Sequence, residues 1–260
     1  MGNAVDPAQA AAQLADLWRT GRQIRELPPE IRPRSLEEGY DIQDALIADL
    51  GEPVAGWKLG VGSAKLKAQS GIGRSIAGRV LRSRLYEPGD AVPLPGAAPV
   101  TVEFEVAYVL GQDVAPDGPA RPPLDCVGEI RVTFELVLAR FVDRRAVGWP
   151  SFAADNAGFH ALVLGPAVAH SDLPALLRTL VVSVDGQERA RAAAGDDATD
   201  PATALADLFA LARERGMTLP AGSIVSTGSA SLPFAMAGAD AEVSAAFLDR
   251  TLLFRTRLAR

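Results

Sequence analysis

The run Thr101-Val102-Glu103-Phe104-Glu105-Val106-Ala107-Tyr108-Val109-Leu110 constrains the fold more than any other stretch of the chain. A period of two puts Val102, Phe104, Val106, Tyr108 and Leu110 on one face of a strand, and Glu103, Glu105, Ala107 and Val109 on the other. A strand apolar on both faces belongs inside a layered fold. Two ionised carboxylates side by side there are costly, and like charges raise one pKa. Either this end of the sheet reaches solvent or a cation is bound. Val132-Thr133-Phe134-Glu135-Leu136-Val137-Leu138-Ala139 places a third carboxylate in an apolar stretch. Three carboxylates suit a hard cation such as Mg²⁺ or Mn²⁺ in octahedral geometry, leaving positions for water and a bidentate 2-oxo acid. Zinc fits poorly, because neither His160 nor His170 stands in a zinc-motif spacing.

The rest of the chain reads as α+β. Residues 7–20 have helical spacing, with Leu14, Leu17 and Trp18 on one stripe. After Pro28, Pro29 and Pro33, Ser35-Leu36-Glu37-Glu38 forms a capping-box pattern that opens a second helix through Tyr40, Ile42, Ala45, Leu46 and Leu50. Beyond Gly51, apolar runs at 53–62, 91–94, 101–110, 131–142, 161–169, 179–184, 222–227 and 241–247 predict strands. Helices are expected at 63–70, 172–177 and 201–215, and polar loops at 113–124 and 194–201. The expected division is a helical N-terminal part, 1–52, and a β-rich core, 53–260.

Composition removes several classes of function. A net charge of -6 argues against a nucleic-acid partner. No apolar run is long enough to cross a membrane as a helix. The single cysteine, Cys126, excludes an intrachain disulfide framework and a Cys-rich zinc site. The Met1-Gly2 opening lacks the features of a secretory signal, and Asp6 stands where a myristoylation signal wants Ser or Thr. The expectation is a soluble, cytoplasmic protein.

The chain's only lysines are Lys58, Lys65 and Lys67. Lys58 shares a strand face with Gly56, Gly60 and Gly62, which let a ligand or backbone come close, although an exposed strand lysine shows the same pattern. Those glycines make no dinucleotide fingerprint, since Lys65 stands at the third glycine position. Ala154-Asp155-Asn156-Ala157-Gly158 reads as an Asx-built turn, and His160 as a core or a catalytic histidine. Ser226-Thr227-Gly228-Ser229 closes a strand, either as a plain turn or as a set of N–H and hydroxyl donors for a carboxylate. Arg79 and Arg140 either anchor an anion or form ion pairs.

Taken in order, several segments resemble the 2-keto-4-pentenoate hydratase and 4-oxalocrotonate decarboxylase branch of the fumarylacetoacetate hydrolase superfamily. They are Gly56-Trp57-Lys58-Leu59-Gly60, Val102-Glu103-Phe104-Glu105-Val106-Ala107, Phe134-Glu135 with Arg140, Ala154-Asp155-Asn156-Ala157, Val163-Leu164-Gly165 and Ala221 through Ser229. The likeness runs over about residues 35–250 and includes Tyr40-Asp41-Ile42-Gln43. It implies a mixed β-roll or β-sandwich core with a short helical N-terminal part, assembled as a homo-oligomer or with a related pathway enzyme. It further implies Mg²⁺ or Mn²⁺ on Glu103, Glu105 and Glu135, a catalytic Lys58, and a 2-oxo acid substrate. The positions expected to contact substrate are Leu59, Arg79, Asp155, Asn156, His160, Thr227, Gly228 and Ser229.

The activity so implied is that of a lyase of aromatic-compound or steroid catabolism, hydrating 2-hydroxypenta-2,4-dienoate to 4-hydroxy-2-oxopentanoate. One alternative is decarboxylation of 4-oxalocrotonate, favoured if Arg79 faces a second carboxylate. The other is a non-catalytic subunit that binds a small acid. The chain departs from the branch's pattern before Gly78, where Ser75-Ile76-Ala77 replaces an acidic residue, and at Leu138, Gly158-Phe159-His160 and Leu248-Asp249-Arg250. The hydrolase branch's His-x-x-Glu dyad is missing, since Val163 and Leu173 stand three residues after His160 and His170.

Overall fold

The computed structural model describes residues 5–259, so the Met1-Gly2 opening lies outside the described residues. Two helices come first. α1 (Pro7–Thr20) starts at Asp6, whose carboxylate accepts from Ala8 N, and buries Leu14, Leu17 and Trp18. In α2 (Leu36–Leu50) Ser35 accepts from Glu38 N as the capping pattern predicts. The reciprocal bond differs, because the Glu38 carboxylate accepts from Arg34 N and pairs with the Arg34 guanidinium instead.

The body then runs β1 (Val54–Gly60), α3 (Ala64–Ser70), β2 (Ile76–Leu81), β3 (Leu85–Tyr86), β4 (Ala91–Leu94), β5 (Val100–Leu110) and β6 (Val127–Val137). It continues with α4 (Gly148–Ala154), β7 (Phe159–Ala167), α5 (Leu173–Thr179), β8 (Val181–Val184), β9 (Gln187–Arg191) and α6 (Pro201–Glu214). β10 (Ile224–Ser229), β11 (Phe234–Met236), β12 (Ala241–Phe247) and β13 (Arg250–Leu258) complete it. One mixed sheet has the order β2-β1-β10-β5-β6-β7-β3, with β11 added beside β5, and a second has β4-β13-β12-β8-β9.

Several strands depart from the apolar-run reading. β6 starts at Val127 and ends at Val137 rather than spanning 131–142, because the chain turns into the segment that Arg140 braces. β13 was missed as an apolar run since Arg255 and Arg257 alternate with inward Leu252, Phe254 and Thr256. The short helix α4, opened by Gly148 and Pro150, lies where the sequence reading placed no element.

The two sheets pack through the even-numbered face of β5. Phe104 meets Phe134 edge-on at 5.4 Å and Phe247 at 5.5 Å, and Phe134 meets Phe254 at 5.2 Å. The opposite face of the larger sheet receives the N-terminal helices, with Leu14, Leu17, Ile42 and Leu46 in one cluster with Val80, Ala107, Leu162 and Ile224. The helical N-terminal part therefore shares its core with the strands. Glu103 and Glu105 project on this second face, beside Ala107, as the period of two requires.

Candidate metal centre and its cavity

Strand register gathers the three carboxylates. Glu103 on β5 is the cross-strand partner of Glu135 on β6, and Glu105, two residues along, faces Thr133. Carboxylate oxygens of Glu103, Glu105 and Glu135 lie within 4.8 Å of one another. Glu105 and Glu135 are fully buried, while Glu103 opens onto a cavity of about 380 Å³.

On the other side of β5, β10 holds Glu105 in place. Ser226 Oγ donates to Glu105 Oε2 at 2.6 Å and Gly228 N donates to the same oxygen at 3.1 Å. Ser226 and Thr133 hydroxyls also bond to each other at 2.8 Å. Gly228 reaches this position because the β10–β5 register slips between Ser226 and Ser229 and its φ is +96°, open to glycine and strained for other residues.

β1 brings in a buried ammonium, the only one among the described residues. Lys58 is 2% exposed, with Nζ 3.0 Å from Glu135 Oε1 and donating to Ala157 O at 3.0 Å. The Ala157 carbonyl is delivered by a turn in which Asn156, Ala157 and Gly158 all have positive φ. Left-handed backbone at Ala157 costs about 1–2 kcal/mol and persists because its surroundings fix it. Asn156 pairs with the backbone of Arg79, accepting from its N at 2.6 Å and donating to its O at 2.9 Å. This approach needs Gly78, since a Cβ there would stand 2.5 Å from Asn156 O. Asp155, just before, accepts from Arg140 Nε at 2.5 Å and Arg140 N at 2.8 Å, locking the turn to the end of β6.

Burial disfavours charge in this cluster. It pushes Glu135 up to about 7, with the Lys58 ammonium pulling the other way, and Arg144 adds a smaller downward pull. Glu105 is driven well above the usual carboxylate range by burial and then by Glu135 and Glu103, against the Ser226 hydrogen bond. Glu105 Oε1 and Glu135 Oε2 have no hydrogen-bond partner among the described residues. Buried acceptors with no donor and three converging carboxylates are the donor set of a hard divalent cation. The residues present fit such an ion.

Of the positions expected to contact substrate, Leu59, Gly228 and Ser229 line the cavity with Lys58 and Glu103. Five others lie elsewhere. Arg79 reaches away to Gln43 and Asp44 on α2, because β2 packs beneath that helix. Asp155 and Asn156 are spent on Arg140 and on the backbone of Arg79. Thr227 donates to Val106 O at 2.7 Å within the sheet. His160 sits 4% exposed in a separate cavity beside Trp18 and Tyr86, with Nε2 2.9 Å from Pro93 O. Arg140, the other suggested anion anchor, is buried, paired with Asp155 and stacked 4.1 Å from the Trp18 ring.

Sequence reasoning singled out Ser226 within the Ser226–Ser229 set of donors, but gave no signal for Arg144, Trp149 and Phe152, which line the cavity. Trp149 and Phe152 form the cavity's aromatic wall, with ring centroids 5.8 Å apart. Their helix carries too few residues for a periodic signal. Within the Ser-Thr-Gly-Ser segment Ser226 is the hydroxyl on the carboxylate face, opposite Ala107, and the carboxylate it serves is Glu105.

Comparisons with known proteins place the chain in a family. The family model for the fumarylacetoacetate (FAA) hydrolase C-terminal domain matches residues 80–250. A 4-oxalocrotonate decarboxylase from a Pseudomonas species is 28% identical over 209 residues, 78% of this chain and 79% of the relative. A 2-keto-4-pentenoate hydratase from Burkholderia vietnamiensis is 29% identical over 231 residues, 85% of this chain and 86% of the relative. The fold is shared with a solved 4-oxalocrotonate decarboxylase from Pseudomonas putida G7, complexed with magnesium and adipate. That structure has a TM-score of 0.79 and 21% identity, covering 97% of each chain.

Proposed function

The chain belongs to the fumarylacetoacetate hydrolase family, and on that footing we propose that it is a divalent-metal-dependent lyase of small 2-oxo acids and their 2-hydroxy-dienoate tautomers. One observation carries the reading, the buried Lys58 ammonium 3.0 Å from Glu135 at the margin of a three-carboxylate cluster. Mg²⁺ or Mn²⁺ on Glu103, Glu105 and Glu135 would supply Lewis acidity to a 2-oxo acid chelated through its carboxylate and carbonyl oxygens. Hydratase and decarboxylase relatives support the lyase class.

The protein's own groups then divide the work. Lys58, oriented by Ala157 O and Glu135, is the proton carrier at the substrate's carbon chain. In hydration of 2-hydroxypenta-2,4-dienoate, Lys58 gives a proton to C5 and regains one from the 2-hydroxyl as that group becomes a carbonyl; water then adds its hydroxyl at C4 of the enone and its other proton at C3. Leu59, Val61, Trp149 and Phe152 give the chain an apolar wall, which keeps bulk water from the reacting carbons. Ser226 and the Gly228 N–H keep Glu105 aimed at the cation position.

The test is to supply metal-stripped and Mg²⁺-reloaded protein with 2-hydroxypenta-2,4-dienoate and with 4-oxalocrotonate, reading products by NMR. Metal-dependent formation of 4-hydroxy-2-oxopentanoate from the first, or of carbon dioxide from the second, is the expected result. Reloaded protein that turns over neither compound nor any longer 2-oxo-enoate would overturn the lyase reading.

A further inference from the structure

The cavity's cations are committed, with two exceptions. Lys58 is held by Glu135 and Ala157, and Lys65 pairs with Asp197 at 2.8 Å on the cavity's exposed wall. Arg79 faces α2. Arg144 and Arg145 line the same cavity, and neither has a carboxylate at ion-pair distance among the described residues. Arg145 is exposed, whereas Arg144 is half-buried and near enough for its charge to act on Glu135.

Arg144 is also presented by braced backbone. Asp143 Oδ1 accepts from Arg145 N at 2.9 Å and from Ala146 N at 3.1 Å, closing a tight turn around it. The base of the loop is tied to Ile24, which donates to Arg140 O at 3.0 Å and accepts from Val142 N at 2.9 Å. Downstream the chain enters α4, whose Trp149 and Phe152 line the cavity. A partly desolvated, unpaired guanidinium carried on braced backbone is a ready receptor for a planar anion.

We infer that Arg144 binds a second, distal carboxylate of the substrate, so that the site selects dianionic 2-oxo acids over monoacids of the same length. This rests on the reading of the three carboxylates as a site for 2-oxo acid chelation. The contact also bears on the reaction. In hydration the distal carboxylate survives, and Arg144 holds it equally before and after water adds. In decarboxylation of 4-oxalocrotonate the C5–C6 bond breaks, its electron pair flows toward the 2-oxo oxygen, and the distal carboxylate leaves as neutral carbon dioxide. An ion pair to that group stabilises the ground state most and slows the step. Water addition to an unsaturated 2-oxo-dioate is therefore the reaction that Arg144 fits.

Calorimetry on Mg²⁺-loaded protein with 2-oxoadipate and 2-oxohexanoate separates the possibilities, since the two differ only at the distal end. Wild type is expected to bind 2-oxoadipate at least about tenfold more tightly. Arg144→Gln should weaken 2-oxoadipate about tenfold while leaving 2-oxohexanoate within about twofold, and Arg144→Lys should restore part of the loss. Equal wild-type affinities would overturn the inference while leaving the chelation reading standing. So would an Arg144→Gln variant that weakens both ligands alike, which would put Arg144 on the carboxylate shared by the two. Failure of wild type to bind either ligand with metal present would overturn both.

Discussion

Lys58 and Glu135 touch across two intervening strands. They sit on β1 and β6, separated by β10 and β5, yet Nζ and Oε1 are 3.0 Å apart and both side chains are at most 2% exposed. Three strand spacings amount to about 14 Å in a flat sheet, more than the two side chains comfortably span. The sheet must curl so that its carboxylate face becomes concave, and the cavity is the inside of that curl. A buried ion pair is weak evidence for stability, because desolvation offsets most of the attraction. Its placement beside Glu103 and Glu105 makes chemistry the better explanation.

Replacing Lys58 by Met should lower kcat by about 10²–10⁴-fold, the usual worth of a positioned proton carrier. Affinity for Mg²⁺ should be unchanged or higher, because an ammonium 3.0 Å from Glu135 competes with a cation for the same oxygen. Titration calorimetry checks the second statement and turnover the first. Retained activity in Lys58→Met would remove the lysine from the mechanism.

Glu105→Gln should weaken Mg²⁺ binding by at least about tenfold, since it removes a charge from the donor set. Ser226→Ala should cost about 10–100-fold without touching the ligands themselves, because Glu105 loses the hydroxyl that aims it. If Ser226→Ala bound metal as wild type does, the Ser226–Glu105 contact would be packing alone.

Glu135 makes metal-free protein sensitive to pH. Its folded value is about 7 against an ordinary 4.5, so the folded state holds the extra proton between those limits. Stability from this group is present below pH 4.5 and is lost as pH rises toward 7, by on the order of 3 kcal/mol. With EDTA present, the melting temperature of wild type relative to Glu135→Gln should therefore fall from pH 4.5 to 7.5. Mg²⁺ affinity of wild type should climb over the same range, as the metal displaces that proton. A wild-type to variant difference that does not change with pH would show Glu135 ionised throughout.

The carboxylate cluster was legible because burying a carboxylate in an apolar strand is an anomaly that one strand reveals by itself. Glu103 and Glu105 announce themselves through the period of two, and the β5–β6 register completes the set with Glu135. Arg79 and Arg140 were not legible, since a cation's direction depends on what packs against its strand. α2 draws Arg79 away from the cavity, and the left-handed turn at 156–158 claims Asp155, Asn156 and Arg140 for architecture. Arg144 carries no local signature, because the loop that fixes it is braced by Ile24, more than a hundred residues earlier in the chain.

His160 belongs to a different cavity from Lys58, and its role follows from that separation. Burial lowers its pKa to about 4 from 6.5, so at neutral pH the ring is uncharged and its Nε2–H donates to Pro93 O. The unfolded chain binds the proton more readily between pH 6.5 and 4. Stability from this group is therefore present above 6.5 and lost as pH falls toward 4, on the order of 3 kcal/mol. His160→Gln keeps a donor for Pro93 O and removes the titration. The variant should lose less melting temperature than wild type between pH 7 and 4.5, while the opposing Glu135 contribution is common to both proteins and cancels in the difference. Turnover at pH 7 on the same substrate should stay within about twofold of wild type. A drop of tenfold or more in kcat, with the fold intact by circular dichroism, would place His160 in the chemistry after all.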